Sequence, residues 1–77
     1  MAKAKNLKEL LDSEVPSFEA MMFRTYLDTG EIYGRYRGPY GFTSSRIMVR
    51  GGKVNILDNA DKEYYFSLAH CKKEARA

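Results

Sequence analysis

The sequence predicts an α+β domain in which a short N-terminal helix packs on a four- to five-stranded antiparallel sheet, either open or curled like a small barrel. Three observations predict it. Leu7, Leu10 and Leu11 recur at helical spacing behind a capping residue. Gly51-Gly52 separates two runs of alternating apolar residues. A further alternating run, Tyr64 to Ala69, precedes a charged tail.

Asn6 caps the first helix, with Glu9 three residues later as in a capping box. Ser13 and Pro16 end it, because the residue before a proline avoids the helical region. Residues 17–29 admit two readings. Phe18, Met21, Met22 and Tyr26 fit a helix capped by Ser17. Phe23-Arg24-Thr25-Tyr26-Leu27 also alternates, and Asp28-Thr29-Gly30-Glu31 is a turn signal before a second alternating run. Pairing the two runs across that turn sets Leu27 opposite Ile32, Thr25 opposite Gly34 and Phe23 opposite Tyr36. The other face then carries Arg24, Tyr26, Tyr33, Arg35 and Arg37. So clean a separation favours the hairpin, with a strand from about Met22.

In the second hairpin, Gly51-Gly52 suits a two-residue turn that needs positive φ. That turn pairs Val49 with Val54 and Ile47 with Ile56 on one face. Arg46, Met48, Arg50, Lys53 and Asn55 fall on the other. Asp58 to Lys62 reads as a polar loop, and Tyr64, Phe66 and Leu68 point inward from the last strand. Residues 1–5 and 72–77 read as flexible ends of a single domain spanning 1–77.

One core in a chain of 77 residues supplies only ~3–5 kcal/mol of net stability. Cys71 is the single cysteine, so an internal disulfide is excluded, and only His70 stands beside it as a further metal ligand. No metal and no cofactor are expected. Tight packing, a homodimer or a permanent partner stay open as sources of stability. The longest apolar run, Ala20 to Phe23, is too short to span a membrane. The basic start leads into Lys8, Glu9, Asp12 and Glu14 rather than an apolar leader segment. With one free thiol, these features point to a reducing, cytoplasmic compartment.

The net charge of +3 is mild, but its distribution is uneven. No acidic residue lies between Glu31 and Asp58, a segment that holds Arg35, Arg37, Arg46, Arg50 and Lys53 together with Tyr33, Tyr36 and Tyr40. Such segregation makes a local positive field that favours anionic partners. Tyrosines stack on bases, and arginines contact phosphate. The candidate ligand-binding residues are therefore Arg24, Tyr33, Arg35, Arg37, Tyr40, Arg46, Arg50 and Lys53. They suggest a non-enzymatic protein that docks on nucleic acid, a nucleotide or a nucleoprotein complex. The same residue types anchor protein–protein hot spots, so an inhibitor or adaptor for an acidic protein surface is the alternative.

Other motifs carry less. Asp28-Thr29-Gly30, preceded by Leu27, resembles the signature of the aspartic proteases, whose retroviral-type members are short homodimers with one copy per subunit. That resemblance would imply two aspartates sharing a proton across a dimer. The later Gly34-Arg35 is followed by Tyr36 rather than by the Asn or Asp of that family's second motif. A hairpin loop accounts for the tripeptide on local grounds. His70 and Cys71, as neighbours on a strand, would point to opposite faces. In size and economy of parts the chain resembles phage or mobile-element accessory proteins that block host defences.

Overall fold

The computed structural model describes residues 6–32, 34–36, 38 and 41–75. The chain begins with helix α1 (Leu7–Glu9), which runs on as a π-helical turn over Leu10–Glu14. The Asn6 side chain accepts the Glu9 N–H at 2.9 Å, as the sequence anticipates. Val15 N–H closes the wider turn on the Leu10 carbonyl. That register buries Leu7, Leu10, Leu11 and Val15 together.

Helix α2 spans Ser17–Thr29, so the strand expected from Met22 does not form. The reason is burial. A strand would have hidden Phe23, Thr25 and Leu27 and exposed Tyr26. The helix puts Ala20, Phe23, Tyr26 and Leu27 on one stripe, all buried. Tyr26 and Phe42 meet at 5.3 Å between ring centroids, and Phe23 and Phe42 at 5.5 Å. The turn signal is the helix stop. Gly30 adopts φ +75°, a left-handed conformation, and its N–H bonds the Tyr26 carbonyl. Pro16, not Ser17, occupies the N-cap.

Strands β1 (Glu31–Ile32) and β2 (Arg35–Tyr36) pair with each other in a separate small hairpin, Ile32 opposite Arg35. Ile32 and Tyr36 thus pair with Arg35 and Glu31 instead of Leu27 and Phe23, and Gly34, expected opposite Thr25, lies in the turn. The main sheet is an open antiparallel meander of β3 (Gly41–Thr43), β4 (Ile47–Arg50), β5 (Lys53–Leu57) and β6 (Glu63–Ser67), in the order β3-β4-β5-β6. The β4–β5 register is the one read from the sequence, with Val49 opposite Val54 and Ile47 opposite Ile56. Gly51 and Gly52 take φ +57° and +81° in the turn. The mixed α+β class holds, with the sheet not closed into a barrel.

Helix α3 (Leu68–Ala75) takes over where the last strand was expected to continue to Ala69. The Ser67 Oγ accepts the His70 N–H and starts the helix. Leu68 and Cys71 turn into the core at helical spacing. Residues 72–75, expected in a flexible end, thus belong to α3, whereas the end expected at 1–5 lies outside the described residues. Phe42, Ile47, Val49, Val54 and Ile56 form the inner face of the sheet and share one core with α1, α2 and α3.

Candidate binding surface

The helices lie on one side of the sheet only. Among the described residues, the side chains of the other face are exposed or half-buried. Its central row, one residue from each strand, reads Thr43, Met48, Asn55, Tyr65. The adjoining row reads Gly41, Arg50, Lys53, Ser67. Residues two apart along a strand sit about 7 Å apart, and neighbouring strands about 4.8 Å, so both rows share one platform. Tyr65 is 69 % exposed and Met48 43 %. The Tyr65 hydroxyl donates to Glu63 at 3.0 Å, and this bond to a carboxylate raises its pKa. The Asn55 amide donates to the Tyr64 carbonyl at 3.3 Å, which holds the amide along the sheet.

Arg50 and Lys53 stand directly opposite each other beside the turn, both exposed. Neither has an acidic partner among the described residues. Facing like charges on a strand pair are destabilising. The fold keeps both, next to two glycines whose positive φ opens the backbone at the turn.

The other sequence candidates are dispersed. Arg24 lies on α2, in the layer behind the opposite face of the sheet, because residues 17–29 are helical. It donates to Asp12 at 2.6 Å, and Lys8 binds the other oxygen at 3.0 Å. These bonds, that from Arg24 first, lower the Asp12 pKa. Arg46 donates to the Asp58 carbonyl and lies 4.0 Å from Asp61, so it fastens the β5–β6 loop. Arg35 is exposed on β2 of the small hairpin. Tyr33, Arg37 and Tyr40 lie outside the described residues. Of the predicted residues, the structure therefore brings together Arg50 and Lys53. Tyr65 was missed as a site residue, although its place between inward Tyr64 and Phe66 already turned it outward. Met48 and Asn55 were placed on this face by the hairpin register.

Several further groups have structural work. Asp58 is buried, and its carboxylate accepts the Ala60 and Lys62 N–H groups at 2.8 and 2.9 Å and the Tyr64 hydroxyl at 3.3 Å. Glu19 clamps α2 to the β3–β4 turn, accepting from Ser44, Ser45 and the Arg46 N–H. Burial raises its pKa, but these hydrogen bonds outweigh burial and leave it lowered. Thr29 of the Asp-Thr-Gly tripeptide donates to the Thr25 carbonyl and accepts the Glu31 N–H, completing the end of α2. His70 reaches Glu74 at 2.9 Å on the outside of α3, while Cys71 is buried and its thiol is pushed up to about 12 by that burial. The pair parts through helical rather than strand geometry.

Among the described residues no cluster of three or more His, Cys, Asp or Glu side chains is placed to hold a metal ion, and no helix is long and apolar enough to cross a membrane. The fold and surface define a small α+β domain with a one-sided sheet. No protein-family model matches the chain, and no curated protein or solved structure shows significant similarity to it.

Proposed function

We propose that this chain is a non-enzymatic binding module whose open sheet face takes single-stranded nucleic acid. The observation that carries the reading is the cation pair Arg50–Lys53, kept face to face without acidic partners among the described residues and bordering the row of exposed Met48, half-buried Asn55 and exposed Tyr65. Rings and thioethers on an open sheet give bases a surface to stack on, and adjacent cations neutralise the backbone. Asn55 adds a polar edge for a base. A duplex offers no unstacked bases to such a row, so single strands are the better ligand.

The test is fluorescence anisotropy with labelled single- and double-stranded DNA and RNA at two salt concentrations. Two phosphate contacts on a single strand predict a log–log salt slope of about −1.4, from about −0.7 per contact. Affinity then falls roughly seven-fold between 50 and 200 mM salt. Tyr65→Ala is expected to weaken binding by stacking worth about 1–3 kcal/mol per base. Absence of binding at low salt, or binding indifferent to Arg50→Ala and Lys53→Ala together, overturns the proposal.

One observation favours the second reading, a protein inhibitor or adaptor. Phe18 and Met21 on α2 are each 56 % exposed, and Phe18 and Met22 border a groove of ≈ 390 Å³ beside β3. A protein partner would depend on one or two such anchors more than on summed charge. Phe18→Ala lowering capture of a partner, with Lys53→Ala leaving it unchanged, is the pattern that reading requires.

A further inference from the structure

We infer that the chain self-associates as a two-fold dimer through antiparallel pairing of β6 with β6 of a second copy. The inference starts from the sheet's two edges, which differ. Strand β3 has three residues, and Ser44 turns back at once to bond Ile47, with Ser44 and Ser45 tied to Glu19. That edge is short and blunted. Strand β6 has five residues in unbroken register with β5, ends the hydrogen-bonded order, and contains neither proline nor bulge. Exposed edges of this kind are normally blocked by charge, proline or distortion. The one charge within β6 is Glu63, at its first position.

The backbone direction follows from alternation. The Leu57 N–H bonds the Arg46 carbonyl, so Leu57, Asn55 and Lys53 direct their backbone groups toward β4. Val54 and Ile56 then bond β6 through their partners Phe66 and Tyr64. The N–H and C=O groups of Glu63 and Tyr65 are left pointing away from the sheet, together with the Ser67 N–H.

A two-fold register centred on Tyr65 pairs the Tyr65 N–H and C=O with those of the second copy and the Ser67 N–H with the opposing Glu63 C=O, while the Glu63 N–H stays with solvent because the Ser67 carbonyl opens α3. Tyr65 faces Tyr65 of the second copy, and Glu63 faces Ser67. On the inner side Tyr64 faces Phe66, both partly buried apolar rings at the margin of the core. No like charges meet within the paired strands. Ser67 Oγ already accepts the His70 N–H, so its own proton is available to the opposing Glu63 carboxylate. The second copy is thus favoured by complementarity of charge and hydrogen bonding. Two four-stranded sheets become one of eight strands, and their central rows join as Thr43-Met48-Asn55-Tyr65 continued by the same row reversed. The inference stands on strand register and not on the nucleic-acid reading.

Sedimentation velocity across micromolar to submillimolar concentrations tests it. The expected result is a shift from the 8.9 kDa monomer toward twice that mass. Tyr65→Pro removes an N–H that faces outward, so it spares the β5–β6 bonds while abolishing the pairing. Tyr65→Ala loses the same ring but keeps the N–H, and retains the dimer with weakened affinity. Circular dichroism checks that both fold. Amide exchange of the unaltered chain gives an answer that no variant can obscure: protection of the Tyr65 and Ser67 N–H groups rises with concentration. A monomer at every concentration, equal dimerisation of the two variants, or concentration-independent exchange at both amides overturns the inference. A dimer that ignores oligonucleotides removes only the proposed function, and a monomer that binds them removes only the dimer.

Discussion

Replacing Lys53 by Gln should stabilise the fold and weaken the ligand at the same time. Lys53 faces Arg50 across β4 and β5, at the pair that flanks the Gly51-Gly52 turn. Partners in a hydrogen-bonded antiparallel pair lie about 5.5 Å apart at Cα, and facing like charges cost about 0.2–1 kcal/mol. Both side chains are exposed, so glutamine removes the repulsion without opening the core. For a domain of this size, 1 kcal/mol corresponds to about 4–8 °C in Tm, which gives an expected rise of about 1–8 °C. Calorimetry or a CD melt reads that rise. On the binding side, one of two phosphate contacts disappears, and the log–log salt slope drops from about −1.4 to about −0.7. Anisotropy at several salt concentrations reads the slope. A purely structural face would show the first effect without the second. A lower Tm, or an unchanged slope, refutes the argument that this pair is retained for an anionic ligand.

Four other outcomes are expected. Gly52→Ala forces a side chain into φ +81° and should cost about 1–3 kcal/mol in urea titration, with the sheet retained wherever the variant folds. Asp58→Ala takes the acceptor from the part-buried N–H bonds of Ala60 and Lys62 and should cost about 1–3 kcal/mol, whereas Asp58→Asn keeps an acceptor for both and should cost clearly less in the same titration. Glu19 has a folded pKa below its ordinary value of 4.5, so its stabilisation is present above pH 4.5 and is lost as pH falls through the folded pKa. Melts below pH 4.5 should therefore decline less steeply for Glu19→Gln than for the unaltered chain. Cys71, with its thiol buried and pushed up to about 12, should resist a thiol reagent at pH 8 until denaturant is added; fast labelling of the native chain contradicts the buried placement.

The sequence by itself determined what local chemistry controls. Asn6 had to cap the first helix, and the glycine pair had to turn β4 into β5 in a single register, because only that register buries Ile47, Val49, Val54 and Ile56 on one face. The cations opposite them followed from the pleat. Residues 17–29 were different, because their apolar positions satisfy a period of two and a period of 3.6 alike. Only packing against Phe42 decided for the helix, since it buries Tyr26 as well as Phe23 and Leu27. That one decision carried Arg24 off the sheet and into the ion pair with Asp12. It also turned the Asp28-Thr29-Gly30 tripeptide from a hairpin loop into a helix end. Whether a cation is free or occupied depends on groups distant in sequence, as Arg46 shows by fastening Asp58 and Asp61. Local pattern fixes which way a strand residue points, but the tertiary fold alone chooses its neighbours.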